Sequence, residues 1–140
     1  MCNAGWRIVL DTNVLVAASY ADRSASRRIV AACLAGRLVA LISHELRHEY
    51  EFILRRAVRN ETFRGTLDKL LERMTEITVT SVQRMVPEDR SDDKIVALAL
   101  VGNAEAIVTN DDHLLQLTDL PGPRVMRPRQ YVRWRLEEAS

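Results

Sequence analysis

The sequence predicts an α/β chain with a mainly parallel central sheet of four to five strands and helices on both faces. Two observations carry this. Ile8 to Leu10, Leu38 to Ile42 and Ala106 to Thr109 are short unbroken aliphatic runs, the pattern of strands covered on both faces. Between them lie stretches whose apolar residues recur every three or four positions, as a core-facing helix requires. Strands alternating with helices fold as parallel crossover units.

The first run stops on Asp11, and Val14 to Ala18 resume with residues that suit a helix. Asp11 is therefore expected at the carboxyl end of a strand, where open α/β sheets place their ligands. Ser24 is positioned to cap a helix through about Ala35, with Ile29, Val30, Cys33 and Leu34 on one face and Gly36 as its stop. The second strand, Leu38 to Ile42, leads to Ser43, the N-cap of a helix to about Val58 with Leu46, Tyr50, Ile53, Leu54 and Ala57 as its apolar stripe. Another helix spans Glu61 to Met74, with Phe63, Leu67, Leu70, Leu71 and Met74 inward. Ile77 to Val82 is rich in β-branched residues and reads as a third strand, short and at an edge.

Ser91 is placed to cap a helix containing Ile95 to Val101, apolar nearly all round and so buried, with Gly102 and Asn103 as its stop. Ala106 to Thr109 is the fourth strand, Asn110 to His113 a turn, and Leu114, Leu115 and Leu117 a short helix. Beyond Pro121-Gly122-Pro123, Val125 and Met126 make a short fifth strand. Pro128 suits the first turn of a terminal helix containing Tyr131, Val132 and Trp134.

The 140 residues suffice for one domain with a hydrophobic core, and no repeat, low-complexity tract or linker divides residues 1–140. The 47% hydrophobic and 28% charged residues are ordinary for a globular protein and argue against disorder. The longest apolar run, Ile95 to Val101, is too short to span a bilayer, and Met1 to Arg7 carries no secretory signal. Cys2 and Cys33 fall at no metal-ligand spacing. The expectation is a reduced, cytoplasmic protein with no membrane role. A net charge of +1 announces no nucleic-acid partner. All basic residues except Lys69 and Lys94 are arginine, a bias that GC-rich coding explains.

Four acidic positions stand out by location. Asp11 ends the first strand, and Asp111 follows the fourth across Thr109-Asn110. Asp93 lies in the first turn of the buried helix, on the face of Val96, Ala97 and Leu100. Glu49 sits at the margin of the apolar stripe, between Leu46 and Ile53. In a doubly wound sheet these strand ends and helix starts share one rim. Carboxylates gathered there repel one another, and burial drives protons onto them. A divalent cation removes both costs, and all-oxygen ligation favours Mg²⁺ or Mn²⁺ over zinc. Such a site suits phosphodiester hydrolysis by metal-activated water. Each residue also has a local explanation: Asp11 and Asp93 as helix caps, Glu49 as a partly solvated flank, Asp111 as a turn residue.

Ile8–Val16 (IVLDTNVLV), Ser43–Arg56 (SHELRHEYEFILRR), Ser91–Ala99 (SDDKIVALA) and Ala106–Leu115 (AIVTNDDHLL) resemble the PIN domains in order and spacing, particularly the compact bacterial VapC-like toxins of type II toxin–antitoxin pairs. The resemblance runs from Arg7 to the helix containing Tyr131, and its most specific parts are the first segment and the T-x-D pattern at Thr109 and Asp111. It implies a three-layer α/β/α PIN-like fold. It carries the family's catalytic, metal-holding acidic residues onto Asp11, Glu49, Asp93 and Asp111. The implied activity is a Mg²⁺- or Mn²⁺-dependent endoribonuclease needing no covalent enzyme intermediate. The implied partners are RNA, a cognate antitoxin and a second copy in a homodimer. The run Glu88-Asp89-Arg90-Ser91-Asp92-Asp93 departs from many relatives and leaves Asp92 open beside Asp93, although Ala97 fits the family register for Asp93. Asn13 and Thr109 are neutral hydrogen-bonding groups suited to orienting Asp11 or a metal-bound water from behind, with turn stabilisation as their alternative. Asp112 is either an additional outer ligand or a solvated turn residue. Arg23 and Arg47 are candidate contacts to an RNA backbone.

Three other readings compete. His44-Glu45-Leu46-Arg47-His48 matches the H-E-x-x-H signature of zinc peptidases. The helix stripe, however, puts His44 and His48 on the solvent side, and no further histidine extends the motif. A haloacid dehalogenase-type phosphatase wants a second aspartate where this chain has Asn13. A catalytically silent PIN-fold module that binds RNA or protein is the third, and the filling of all four acidic positions argues against it.

Overall fold

The computed structural model describes residues 5–80 and 90–137, with the side chains of all these except residues 90–93. In chain order the elements are β1 (Trp6–Leu10), α1 (Thr12–Ala18), α2 (Ala25–Leu34), β2 (Leu38–Ile42), α3 (His44–Ala57), α4 (Glu61–Arg73), β3 (Thr75–Glu76), α5 (Arg90–Val101), β4 (Ala106–Val108), α6 (Asp112–Leu115), β5 (Arg124–Met126) and α7 (Pro128–Tyr131), the last passing into a π-helical turn over Val132–Glu137.

The five strands are all parallel, in the order β3-β2-β1-β4-β5. Central β1 has Ile8 level with Ala40 of β2 on one side and Ala106 of β4 on the other. Ile8, Val9 and Leu10 have no exposed surface, as their aliphatic run requires. The chain walks outward from β1 through β2 to β3, then crosses to β4 and β5 on the far side. That reversal makes the junction of β1 and β4 a topological switch point, the place where such sheets open a crevice. It also divides the helices between the faces, because right-handed crossovers that run in opposite directions lie on opposite sides. Helix α2 packs on β2 and against α1, α4 and α7; α5 packs on β1, β2 and β4. The result is three layers, α/β/α.

Local chemistry sets the element ends. The side chains of Ser24, Ser43 and Asn60 each accept a hydrogen bond at 3.1 Å, from the N–H of Arg27, Leu46 and Phe63 respectively. Helix α2 stops at Ala35, and Gly36 follows with φ of +84°, a conformation that costs glycine little. Leu46, Tyr50 and Leu54 of the α3 stripe are buried, whereas Ile53 and Ala57 are only half-buried. Among the described residues no helix is long and apolar enough to cross a membrane.

Several boundaries differ from the sequence expectation. Helix α1 begins at Thr12 rather than Val14, and α6 takes in Asp112 and His113 from the expected turn. Two further differences have a clear physical cause. The third strand is Thr75–Glu76, both exposed, rather than Ile77 to Val82. Its pairing reaches Ile77, whose N–H donates to the Ile42 carbonyl at 2.8 Å. There β2 ends, because Ser43 turns the chain into α3, and later residues have no strand edge to follow. β-branched composition favours extended backbone but does not supply a partner. Ser81 and Val82 lie outside the described residues. Helix α5 starts at Arg90, so Ser91 falls inside its first turn and does not precede it as a cap.

Because β1 is packed on both faces, Ile8→Ala should destabilise the chain by about 2–5 kcal/mol. A urea titration would read this as a lower midpoint with an unchanged slope. A loss below about 1 kcal/mol would show that β1 is not the centre of the core.

Candidate active site

Asp11 lies one residue past β1, and its N–H donates to the Val108 carbonyl at 2.9 Å, so the ladder with β4 reaches the residue that carries the carboxylate. It occupies the N-cap position of α1 but makes no side-chain cap hydrogen bond. Its Oδ2 instead accepts from Thr109 Oγ1 at 2.7 Å and from Asn13 Nδ2 at 3.3 Å. The residue is only 7% exposed. Fully buried Thr109 also accepts from the Asp111 N–H at 2.9 Å, and Asn13 Oδ1 accepts from the Asn110 N–H at 3.3 Å. Thr109 and Asn13 therefore join the end of β1 to the turn that carries Asp111.

Glu49 approaches from α3. Its Oε2 accepts from Thr12 Oγ1 at 2.5 Å, and its Oε1 lies 2.7 Å from Lys94 Nζ on α5. The next residue, fully buried Tyr50, donates its hydroxyl hydrogen to the Leu10 carbonyl. Helix α3 is thus fastened to the chain on either side of Asp11. Burial pushes the Asp11 carboxyl above its ordinary value; hydrogen bonds from the Thr109 side chain and the Thr12 backbone oppose this, and the negative charges of Glu49 and then Asp111 push it further up.

Asp111 caps α6 through Oδ1, which accepts from the His113 N–H at 2.9 Å and lies 3.5 Å from His113 Nδ1. Asp112 points outward, exposed and paired with Arg127 at 2.9 Å. Asp92 and Asp93 fall in the first turn of α5, just before Lys94, but their side chains lie outside the described residues. Asp11, Glu49 and Asp111 share one rim, yet among the described residues no group of three His, Cys, Asp or Glu stands close enough to hold a metal. The donor set still suits a hard divalent cation. It is all oxygen, its negative charge is crowded, and Glu49 already draws the ammonium of Lys94.

His44 and His48 are both exposed, with their rings edge to face at 4.6 Å, on the side of α3 away from Leu46, Tyr50 and Leu54. Arg47 lies 3.5 Å from Glu76. Sequence reasoning missed Thr12, Tyr50 and Lys94. A tyrosine in a buried stripe needs a partner for its hydroxyl, which was a usable signal. Lys94, one of two lysines among 20 basic residues, was another. Thr12 carried none.

A model of the PIN domain matches residues 7–113, most of the chain. The chain belongs to the PIN domain family. Members of this family are typically nucleases and generally use a divalent metal. Among solved structures, VapBC2 from Rickettsia felis bound to a DNA fragment from its promoter aligns with a TM-score of 0.58, over 85% of this chain and 96% of that one, at 18% identity. At that identity the likeness concerns the fold, which in this PIN domain is the five-stranded parallel form described above. No curated protein matches the chain.

The raised Asp11 pKa has a thermodynamic consequence in the metal-free PIN domain. Below 3.8, its ordinary value, folded and unfolded chains both hold the proton. Above it the unfolded chain ionises first, so stability falls as pH rises from there through the folded value. Asp11→Asn removes this loss and keeps an oxygen to accept from Thr109. In chelator, the melting temperature of the variant minus that of wild type should grow by a few degrees between about pH 4 and about pH 7. A pH-independent difference would contradict the burial cost.

Proposed function

We propose that this chain is a single PIN-like nuclease domain, a Mg²⁺- or Mn²⁺-dependent endoribonuclease that hydrolyses RNA phosphodiester bonds. We read it as the toxin of a toxin–antitoxin pair, acting in the cytoplasm as a homodimer restrained by its cognate antitoxin. The observation that carries the catalytic part is Asp11. Its carboxylate is buried at the switch point and unused as a helix cap, and two neighbouring acids oppose its ionisation. That arrangement is costly unless a cation joins it.

The residues that would hold the cation are Asp11, Glu49, Asp93 and Asp111. When bound, the ion would polarise a phosphoryl oxygen and activate the attacking water. Thr109 and Asn13 fix the Asp11 carboxylate through Oδ2, and Thr12 fixes Glu49 through Oε2. Asp111 is steadied by its own capping bond. The toxin role and the antitoxin partner rest on the resemblance to VapC-like proteins and on the likeness of fold to VapBC2.

Purified chain free of other proteins should cleave RNA with Mg²⁺ or Mn²⁺ and stop in chelator. Asp11→Asn should lower the rate by at least about 100-fold, while His48→Ala should leave it unchanged. Cleavage that survives Asp11→Asn intact would sink this site. RNA binding without turnover in either metal would favour the silent binding module.

A further inference from the structure

We propose that Lys94 is an internal counter-cation of the acidic rim: its ammonium holds Glu49 in the metal-free protein, and a divalent ion takes that carboxylate only by displacing it. The inference rests on the metal-dependent reading above and deepens it.

Lys94 Nζ stands 2.7 Å from Glu49 Oε1, and the two side chains are only 19% and 23% exposed. Solvent and salt screen such a pair far less than one at the surface. The other oxygen, Oε2, is taken by Thr12. Both oxygens of Glu49 are therefore engaged, and a cation that needs this carboxylate must break one of the two contacts. The Thr12 contact is a hydrogen bond from a neutral hydroxyl beside Asp11, and a metal-bound carboxylate can keep it on its second oxygen. The Lys94 contact is a positive charge in the place where the incoming positive charge would go, so it is the one that yields.

The choice of side chain fits this exchange. Lysine presents a compact, strongly hydrated point charge on a flexible stem, whereas arginine would grip the carboxylate through a planar fork. In a chain whose other lysine, Lys69, is exposed on α4, a lysine stands here and not one of the many arginines. The ammonium also sets a positive charge directly against Glu49, one of the two acids that oppose ionisation of buried Asp11. Its release weakens the apparent metal affinity by the strength of the pair. A competent state that must first be freed imposes that penalty on any ligand.

Two measurements test this, neither of which reads catalysis. By titration calorimetry with Mn²⁺, Lys94→Met should bind about three- to tenfold more tightly than wild type, the strength of a partly buried pair. In wild type, lysine acetylation followed by mass spectrometry should show Lys94 reacting several-fold faster in saturating Mn²⁺, with exposed Lys69 unchanged as the internal reference. Wild type that binds Mn²⁺ while folded Lys94→Met binds no tighter overturns the exchange. So does a Lys94 reactivity that Mn²⁺ leaves unchanged or lowers, a result that decides even if the variant does not fold. Wild type that takes up no Mn²⁺ overturns the metal-dependent reading itself, and the exchange with it.

Discussion

Burying the Asp11 carboxylate at the end of β1 removes water from a charge and sets it where Glu49 and Asp111 repel it, and the surrounding contacts answer that cost one by one. Thr109 and Asn13 bring hydrogen-bond donors to Oδ2. Lys94 sets a positive charge against the nearest competing acid. These groups come from α1, β4's end and α5, so no single element creates the environment. The parallel sheet does, by ending β1 and β4 side by side and bringing three helices to the same rim.

The connections follow an alternation along the chain. Leu10 and Thr12 are tied to α3, through Tyr50 and Glu49. Asp11 and Asn13 are tied to the Thr109–Asn110 segment. One short stretch across the β1–α1 junction thus holds a helix with one set of groups and a neighbouring strand end with the other. The separation of Asp11 from Glu49 is governed by two contacts that flank Asp11, Tyr50 to the Leu10 carbonyl and Thr12 to the Glu49 carboxylate. Hydrogen bonds of this kind contribute modestly to stability one at a time. Their larger effect here is geometric, since each removes a freedom from the same few atoms.

Much of this was legible in the sequence because it depends on local pattern. The run Ile8 to Leu10 reports burial on both faces, Ser24 and Ser43 report helix starts, and Asp11 is marked by ending an aliphatic strand. The third strand was misplaced because extended propensity says nothing about where β2 stops. Lys94 and Tyr50 escaped for a related reason. Their partners, Glu49 and the Leu10 carbonyl, are about 40 residues or more away in sequence, and periodicity places such residues on a face without naming what lies opposite.

Asp11 and Asp111 also show that a local explanation and a functional one are not always rivals. Both follow a strand and precede a helix, so both have the sequence context of an N-cap. Asp111 takes that role: Oδ1 accepts from the His113 N–H, which fixes the side chain at the rim by a purely local bond. Asp11 has the same backbone setting and makes no such bond. Its Oδ2 instead accepts from Thr109 and Asn13, and the backbone of Thr12 at the start of α1 adds a further stabilising hydrogen bond. The same strand-to-helix setting thus makes a cap of Asp111 and ties Asp11 to the end of β4, at the topological switch point of the sheet.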